Sequence, residues 1–174
     1  AKQQEPMFFP KSLDQTEALK RFVTMKKGET VELCGMQIDA MPLRHPGGSA
    51  AYRFRRKGSC FIFATDVELR GDIFDNTMPE YDQFFNEADV LVLDSQYTLD
   101  EAFMKFDWGH TAFTVAVNCG ARWKADKLVL THHEPSYDAV KLMGIYREAL
   151  EHRDAMGLSA PEIIMAAEGL TFEL

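Results

Sequence analysis

The chain has 174 residues, with 19 Lys and Arg against 27 Asp and Glu for a net charge of −8, and it is 46% hydrophobic and 26% charged. Those proportions describe a globular chain and exclude a fibrous or low-complexity one, and the length suits one domain rather than two. The acidic balance, with a pI near 5.1, also disfavours a grip on nucleic acid through a basic face, while leaving room for a small charged substrate held through metal.

The opening AKQQEPMFFPKSLDQ has no basic stretch followed by an apolar one, and no run of about 18 apolar residues occurs. Neither a signal peptide nor a membrane span is therefore expected. Ser12 is a candidate N-cap, and LDQTEALKRFV sets Leu13, Ala18, Leu19 and Phe22 at helical spacing, which predicts one short helix. Beyond the KKGE turn, TVELC and MQIDAMPL are strand-like and meet at Gly35. AYRFRR and SCFIFAT follow around the Lys57–Gly58 turn, so the first half predicts an antiparallel meander.

From Glu80 the pattern alternates. EYDQFFNEA has helical spacing, DVLVLDS is an apolar strand, LDEAFMKF and AFTVAVNCGARWKA are helices around a loop, and KLVLTH is a second buried strand. The amphipathic SYDAVKLMGIYREALEHRDAMG then leads to EIIMAAEG and LTFEL, both predicted to close the sheet. The strands CFIFAT, VLVLDS and KLVLTH are apolar on both faces and ask for cover on both sides, whereas this chain is expected to supply one layer. Cys34, Cys60 and Cys119 are odd in number with no CxxC pair. They argue against a disulfide framework or a thiolate zinc knuckle, and for a reduced, cytoplasmic setting.

The polar residues that carry chemistry lie where strands end. His45 follows MQIDAMPLR, Asp66 ends SCFIFAT, Asp94 ends DVLVL, and His132 with His133 ends KLVL. In open α/β sheets ligands bind just beyond such ends, where loops converge on a rigid support. Imidazole nitrogen and carboxylate oxygen are donors that zinc, manganese and iron accept, and one carboxylate can bridge two cations. Each residue alone has a plainer role. A strand-end histidine more often meets solvent or a loop group, Asp66 could cap a turn, Asp94 could open the following helix, and His152 belongs to the long C-terminal helix. GGS after His45 reads equally as an ordinary turn. Taken jointly, the pattern favours a dispersed metal site.

Five segments, LRHPGGSAAYRFRR, FIFATDVE, ADVLVLDSQYTLDE, WGHTAF and KLVLTHHEPSYD, resemble in this order the later motifs of the metallo-β-lactamase fold superfamily. The similarity is greatest to its phosphodiesterase-type branch related to ribonuclease Z, and it runs from about Phe8 onward. It implies an α/β fold that is the C-terminal half of an αββα sandwich, with a mixed sheet covered by helices on one face, as a single half-domain over residues 1–174. By the same resemblance His45 matches the histidine that completes the first metal site. Asp66 matches the bridging carboxylate, with a part in catalysis, and His132 the last ligand of the second site. His110 in WGHT matches the histidine that faces the substrate phosphate and helps the leaving group, with Thr111 where the branch usually has Ser. Asp94, Glu68 and Asp138 lie in recurrent motifs and are candidates for supporting the ligands from behind. Two divalent cations are implied, zinc first, with manganese or iron compatible with the same donors.

One departure is large. The superfamily's His-x-His-x-Asp-His loop has no counterpart, since neither an HxH nor a DH pair occurs in the chain. Each cation is left with one imidazole and a share of Asp66, whereas catalytic zinc normally takes three protein ligands. The same gap leaves one sheet face bare. The expected partner is an N-terminal half-domain carrying HxHxDH, as a separate polypeptide or the other fragment of a precursor; a homodimer through the uncovered sheet would restore packing without those ligands. With the halves joined, the resemblance implies phosphodiester hydrolysis by a hydroxide bridging the two cations, and the acidic charge favours a small phosphodiester over a long nucleic acid. The competing expectation is a non-catalytic regulatory or scaffold subunit that keeps the fold with an incomplete site. Retention of His45, Asp66, His110 and His132 together argues against it.

Overall fold

The computed structural model describes residues 28–70 and 79–174, with residues 22–26 and single positions 5, 7, 11, 15 and 17 before them. The helix expected over LDQTEALKRFV falls largely outside the described residues. Four strands come first: β1 (Thr30–Leu33), β2 (Met36–Leu43), β3 (Ser49–Arg56) and β4 (Ser59–Ala64). Helices and strands then alternate as α1 (Pro79–Phe85), β5 (Val90–Asp94), α2 (Leu99–Met104), α3 (Phe113–Arg122), β6 (Lys127–Thr131), α4 (Ala139–Ala155) and β7 (Glu162–Met165).

The meander closes through two-residue turns whose central residues are all left-handed, Cys34 (φ 53) with Gly35 (φ 73) and Lys57 (φ 51) with Gly58 (φ 92). Such turns match the twist of the flanking strands, and this places the first four strands side by side and antiparallel. The later strands pair in parallel, and the seven lie in strict sequence order, β1 to β7. That order has a consequence for layering. Right-handed crossovers that all step in one direction put every connecting helix on the same side of the sheet.

The helix side is the core. Ile62, Leu91, Leu128 and Ile163 pair laterally in one row, and Ala64, Leu93, Leu130 and Met165 in the next. They pack with Phe85, Phe113, Val117, Trp123, Ile145 and Ala149 from the helices. Trp123 stacks on Phe85 with centroids 4.4 Å apart, and its indole N–H donates to Asp82 at 2.8 Å. Each fully buried large side chain of this kind contributes about 1.5–3 kcal/mol.

The opposite face carries the row Tyr52, Phe63, Val92, Val129 and Ile164. Val90, Val92 and Val129 form a small cluster there with Phe61, Ile164, Ala166 and Phe172, while Tyr52 and Phe63 stay 41% and 42% exposed. The expected closing strand LTFEL is corrected here: residues 170–174 pair with no strand. The last ladder bond is Ala166 N–H to Leu130 C=O at 2.9 Å. A turn at Gly169 (φ 83) follows, after which Phe172 lies on the sheet face instead of extending its edge. An alternating apolar segment can serve either purpose, and the turn decides between them. Among the described residues, no helix is long and apolar enough to cross a membrane.

Candidate metal centre

Because β2 is antiparallel to β3 and β3 to β4, strand β2 runs in the same direction as β4, β5 and β6. Their C-terminal ends therefore share one edge of the sheet, and His45, Asp66, Asp94 and His132 emerge together. Two of them do so in the left-handed region, Asp66 at φ 57 and His132 at φ 63. Side chains adopt such angles at a cost of about 1–3 kcal/mol each, and neighbouring bonds must hold them there. The Ser49 hydroxyl donates to the Asp66 carbonyl at 2.6 Å, and Glu68 N–H donates to the Arg44 carbonyl at 2.9 Å, tying the Asp66 loop to the His45 loop. On the other side Ser95 grips the Thr131 carbonyl through both its N–H and its hydroxyl, each at 3.0 Å.

One oxygen of Asp66 stands between two imidazoles. His45 Nε2 lies 3.8 Å and His132 Nε2 3.6 Å from Asp66 Oδ1. Donors on a tetrahedral zinc with bonds of about 2.0–2.1 Å are roughly 3.3–3.4 Å apart, so both spacings are within a few tenths of an ångström of ligation. Donor atoms of His45, Asp66 and His110, and separately of Asp94, His110 and His132, lie within 4.8 Å of one another. The imidazole and carboxylate donors suit a divalent cation, which would need further ligands.

His110 stands between the two histidines, edge-on to His45 at 5.3 Å between centroids and stacked on His132 at 4.8 Å. Its Nδ1 is 2.8 Å from Asp94 Oδ2. That hydrogen bond raises the imidazole pKa against the effect of burial, helped by the negative charges of Asp94, Asp66 and Glu68. Asp94 is fully buried and also accepts from the N–H groups of Thr111 at 3.1 Å, Val67 at 3.3 Å and Gln96 at 3.3 Å. It therefore orients His110 rather than opening a helix; Thr98 caps α2. Glu68 accepts from the N–H groups of Asp107 and Gly109, both at 3.1 Å, and so fixes the loop that delivers His110.

The remaining candidates sort themselves by their contacts. Asp138 caps α4, its carboxylate accepting the Lys141 N–H at 2.8 Å. His152 Nε2 meets Asn118 Oδ1 at 2.8 Å, the structural role expected of it. GGS makes the turn that Gly48 N–H closes on the His45 carbonyl at 2.9 Å. Burial pushes the His133 imidazole pKa down.

Two residues matter more than their sequence signal suggested. The buried Thr111 hydroxyl donates to the Val67 carbonyl at 2.5 Å and accepts from Leu69 N–H at 3.0 Å, joining the His110 loop to the Asp66 loop. Gly109, at φ +98, lies against His45: a Cβ there would be 2.4 Å from His45 Cδ2 and 2.6 Å from Pro46 Cδ. The only hint in the sequence was its place beside His110 in WGHT.

Imidazoles gathered around a shared carboxylate, at the strand ends of a sheet with helices on one face, make a candidate metal-binding centre in an α/β protein. A family model described as the beta-lactamase superfamily domain matches residues 3–133, and the chain belongs to that superfamily. Ribonuclease Z from Synechococcus sp. (strain WH7803) is 31% identical over 117 residues, covering 67% of this chain and 31% of the relative. The metallo-beta-lactamase fold protein YhfI from Bacillus subtilis superposes with a TM-score of 0.65 at 16% identity, over 85% of this chain and 54% of that one. Human tRNase Z, short form, superposes with a TM-score of 0.54 at 17% identity, over 80% and 44%. The chain thus spans about a third of that curated relative and about half of each solved structure, and the two superpositions speak for the fold alone.

Proposed function

We propose that this chain is the C-terminal half of a metal-dependent phosphodiesterase whose remaining ligands come from a His-x-His-x-Asp-His segment outside these 174 residues. The observation that carries the reading is the convergence of His45 and His132 on one oxygen of Asp66, at 3.8 and 3.6 Å, beside a histidine held by a buried carboxylate. When bound, two divalent cations supply positive charge opposite the phosphoryl oxygens and lower the pKa of water toward neutrality. Zinc is the first choice, and manganese or iron suits the same donors. His45 and His132 hold the site from opposite sides, and Asp66 is shared between them. With Nδ1 hydrogen-bonded to Asp94, His110 presents Nε2 to the departing oxygen and protonates it. The similarity to ribonuclease Z supports a phosphodiester as the substrate class, and the charge of −8 favours a small one.

The layer carrying the missing ligands would cover the sheet face of Tyr52, Phe63 and Val92. A homodimer through that face would bury it but add no ligand of the missing kind. The thiols of Cys34, Cys60 and Cys119 are free and suit the reducing cytoplasm, where we place the protein.

The test uses the complete protein, with metal content measured by mass spectrometry and hydrolysis of bis(4-nitrophenyl) phosphate as the activity. Asp66→Ala is expected to lose metal. His110→Ala is expected to keep metal and lose turnover by about 10²–10⁴-fold. Equal metal loss in both variants would make His110 a ligand and overturn its role. A metal-free, inactive complete protein would establish the non-catalytic alternative.

A further inference from the structure

Helix α2 is placed unlike its neighbours. None of its residues is buried, and Leu99, Phe103 and Met104 are exposed, as are Phe106 and Trp108 just beyond it. Polar ties hold it instead. Thr98 and Glu101 form a capping box, the Tyr137 hydroxyl donates to Glu101, and the Lys105 ammonium meets Glu134 at 3.2 Å. A segment anchored by its polar groups, with none of its residues buried, leaves its apolar side chains free to line a surface beside the core.

What the apolar side lines is a cavity of about 230 Å³. Its walls include Leu69, Ala102, Phe103, Phe106 and Val115, and His110 belongs to the same wall. The charged groups lining it are already engaged. Arg70 pairs with Glu68 at 2.8 Å and with Asp107, and its guanidinium lies 3.7 Å over the Phe106 ring. The cavity therefore presents rings and methyl groups to an occupant rather than a free ion.

We propose that this cavity receives the organic part of the substrate's leaving group, an uncharged apolar ring. The inference rests on the reading of His110 as the residue that serves the leaving oxygen. If His110 contacts that oxygen, the carbon skeleton attached to it lies within a bond or two of the cavity wall. The volume limits the occupant as well. Sites for drug-sized ligands run from about 300 Å³ upward, so this one is large enough for a single substituted ring.

The experiment measures calorimetric affinities of phenylphosphonate and methylphosphonate for the complete, metal-loaded protein. Phenylphosphonate is expected to bind at least about tenfold tighter, from burial of its ring. In Ala102→Phe and Val115→Phe, whose new side chains occupy the cavity, that advantage should fall below about threefold. Equal affinities in the unaltered protein, or no binding of either probe, overturn the proposal, as would a protein segment from the missing half already filling the space. A preference that survives both variants overturns it too, because the ring then sits elsewhere. A protein that shows the preference and its loss in the variants, yet hydrolyses no phosphodiester, would refute the hydrolase reading while keeping the cavity's ligand.

Discussion

Replacing Gly109 by Ala tests whether His45 is a metal ligand without altering any candidate ligand. The new Cβ would stand 2.4 Å from His45 Cδ2, 2.9 Å from Nε2 and 2.6 Å from Pro46 Cδ, whereas ordinary contact begins near 3.4 Å. Pro46 is stiff, so the imidazole must retreat by about 1 Å, several times the ±0.2 Å or so within which ligand distances hold. Disturbing a ligand's support costs about 10–100-fold in metal affinity, and displacing the ligand itself should cost at least the upper figure. Alanine at φ +98 adds a backbone penalty of about 1–3 kcal/mol. Gly58→Ala separates the two effects, since Gly58 has φ +92 with nothing within 4 Å of its Cβ position. Metal affinity is read by competition with a chromogenic chelator, and folding by denaturant unfolding. Gly109→Ala should lose metal and some stability, and Gly58→Ala stability alone. A folded Gly109→Ala protein with unchanged metal affinity would refute the placement of His45 in the site.

Three further outcomes follow from the hydrogen bonds. Asp94→Asn removes the charge that raises the His110 pKa; turnover should fall about 100-fold or more, and the limb of the pH–rate profile that needs protonated His110 should move to lower pH. For Asp39, burial pushes the carboxyl pKa up, but hydrogen bonds from Thr30 and Arg53 with the charges of Arg53 and Arg55 outweigh it and leave it below its ordinary value. The stability this gives is complete above the unfolded carboxylate pKa, about 4, and is lost as pH falls through the lower folded value. Loss of these charge-assisted hydrogen bonds in Asp39→Asn should cost about 1.5–3 kcal/mol at pH 7, and denaturant unfolding near pH 3 should show a smaller difference. Tyr137→Phe deletes the hydroxyl that ties Glu101 to the loop between β6 and α4; hydrogen exchange should show α2 amides opening more easily by about 1 kcal/mol with α3 unaffected.

Much of this architecture was written in local pattern. The turns at Gly35 and Lys57–Gly58, the apolar strands and the alternation after Glu80 are short-range signals, and the structure follows them. The site motifs were legible because strands running the same way deliver their following residues to one edge, so His45, Asp66, Asp94 and His132 needed only strand direction to be brought together. What escaped depends on contacts across the fold. LTFEL alternates like a strand but follows a glycine turn that carries it over the sheet face. Asp138 sits in a recurrent motif but caps its own helix. Gly109 owes its importance to His45, 64 residues earlier, and no local spacing reports that contact.

The open part of the sheet face has its origin in strand order. A sheet whose strands follow in sequence, with right-handed crossovers, collects its helices on one side. Among the described residues, no helix of this series packs on the face that carries Tyr52, Phe63, Val92, Val129 and Ile164. The C-terminal residues cover only part of it, with Phe172 over Val90, Val92 and Val129, while Tyr52 and Phe63 on β3 and β4 stay open. A layer proposed to complete the site would then bury its largest new apolar area on the meander, next to the strand ends that present His45 and Asp66. In that proposal, covering β3 and β4 and supplying ligands on the His45 side would be the same docking event. Substituting Phe63 with Asp on the open face should weaken association and metal retention together, and loss of one without the other would separate them.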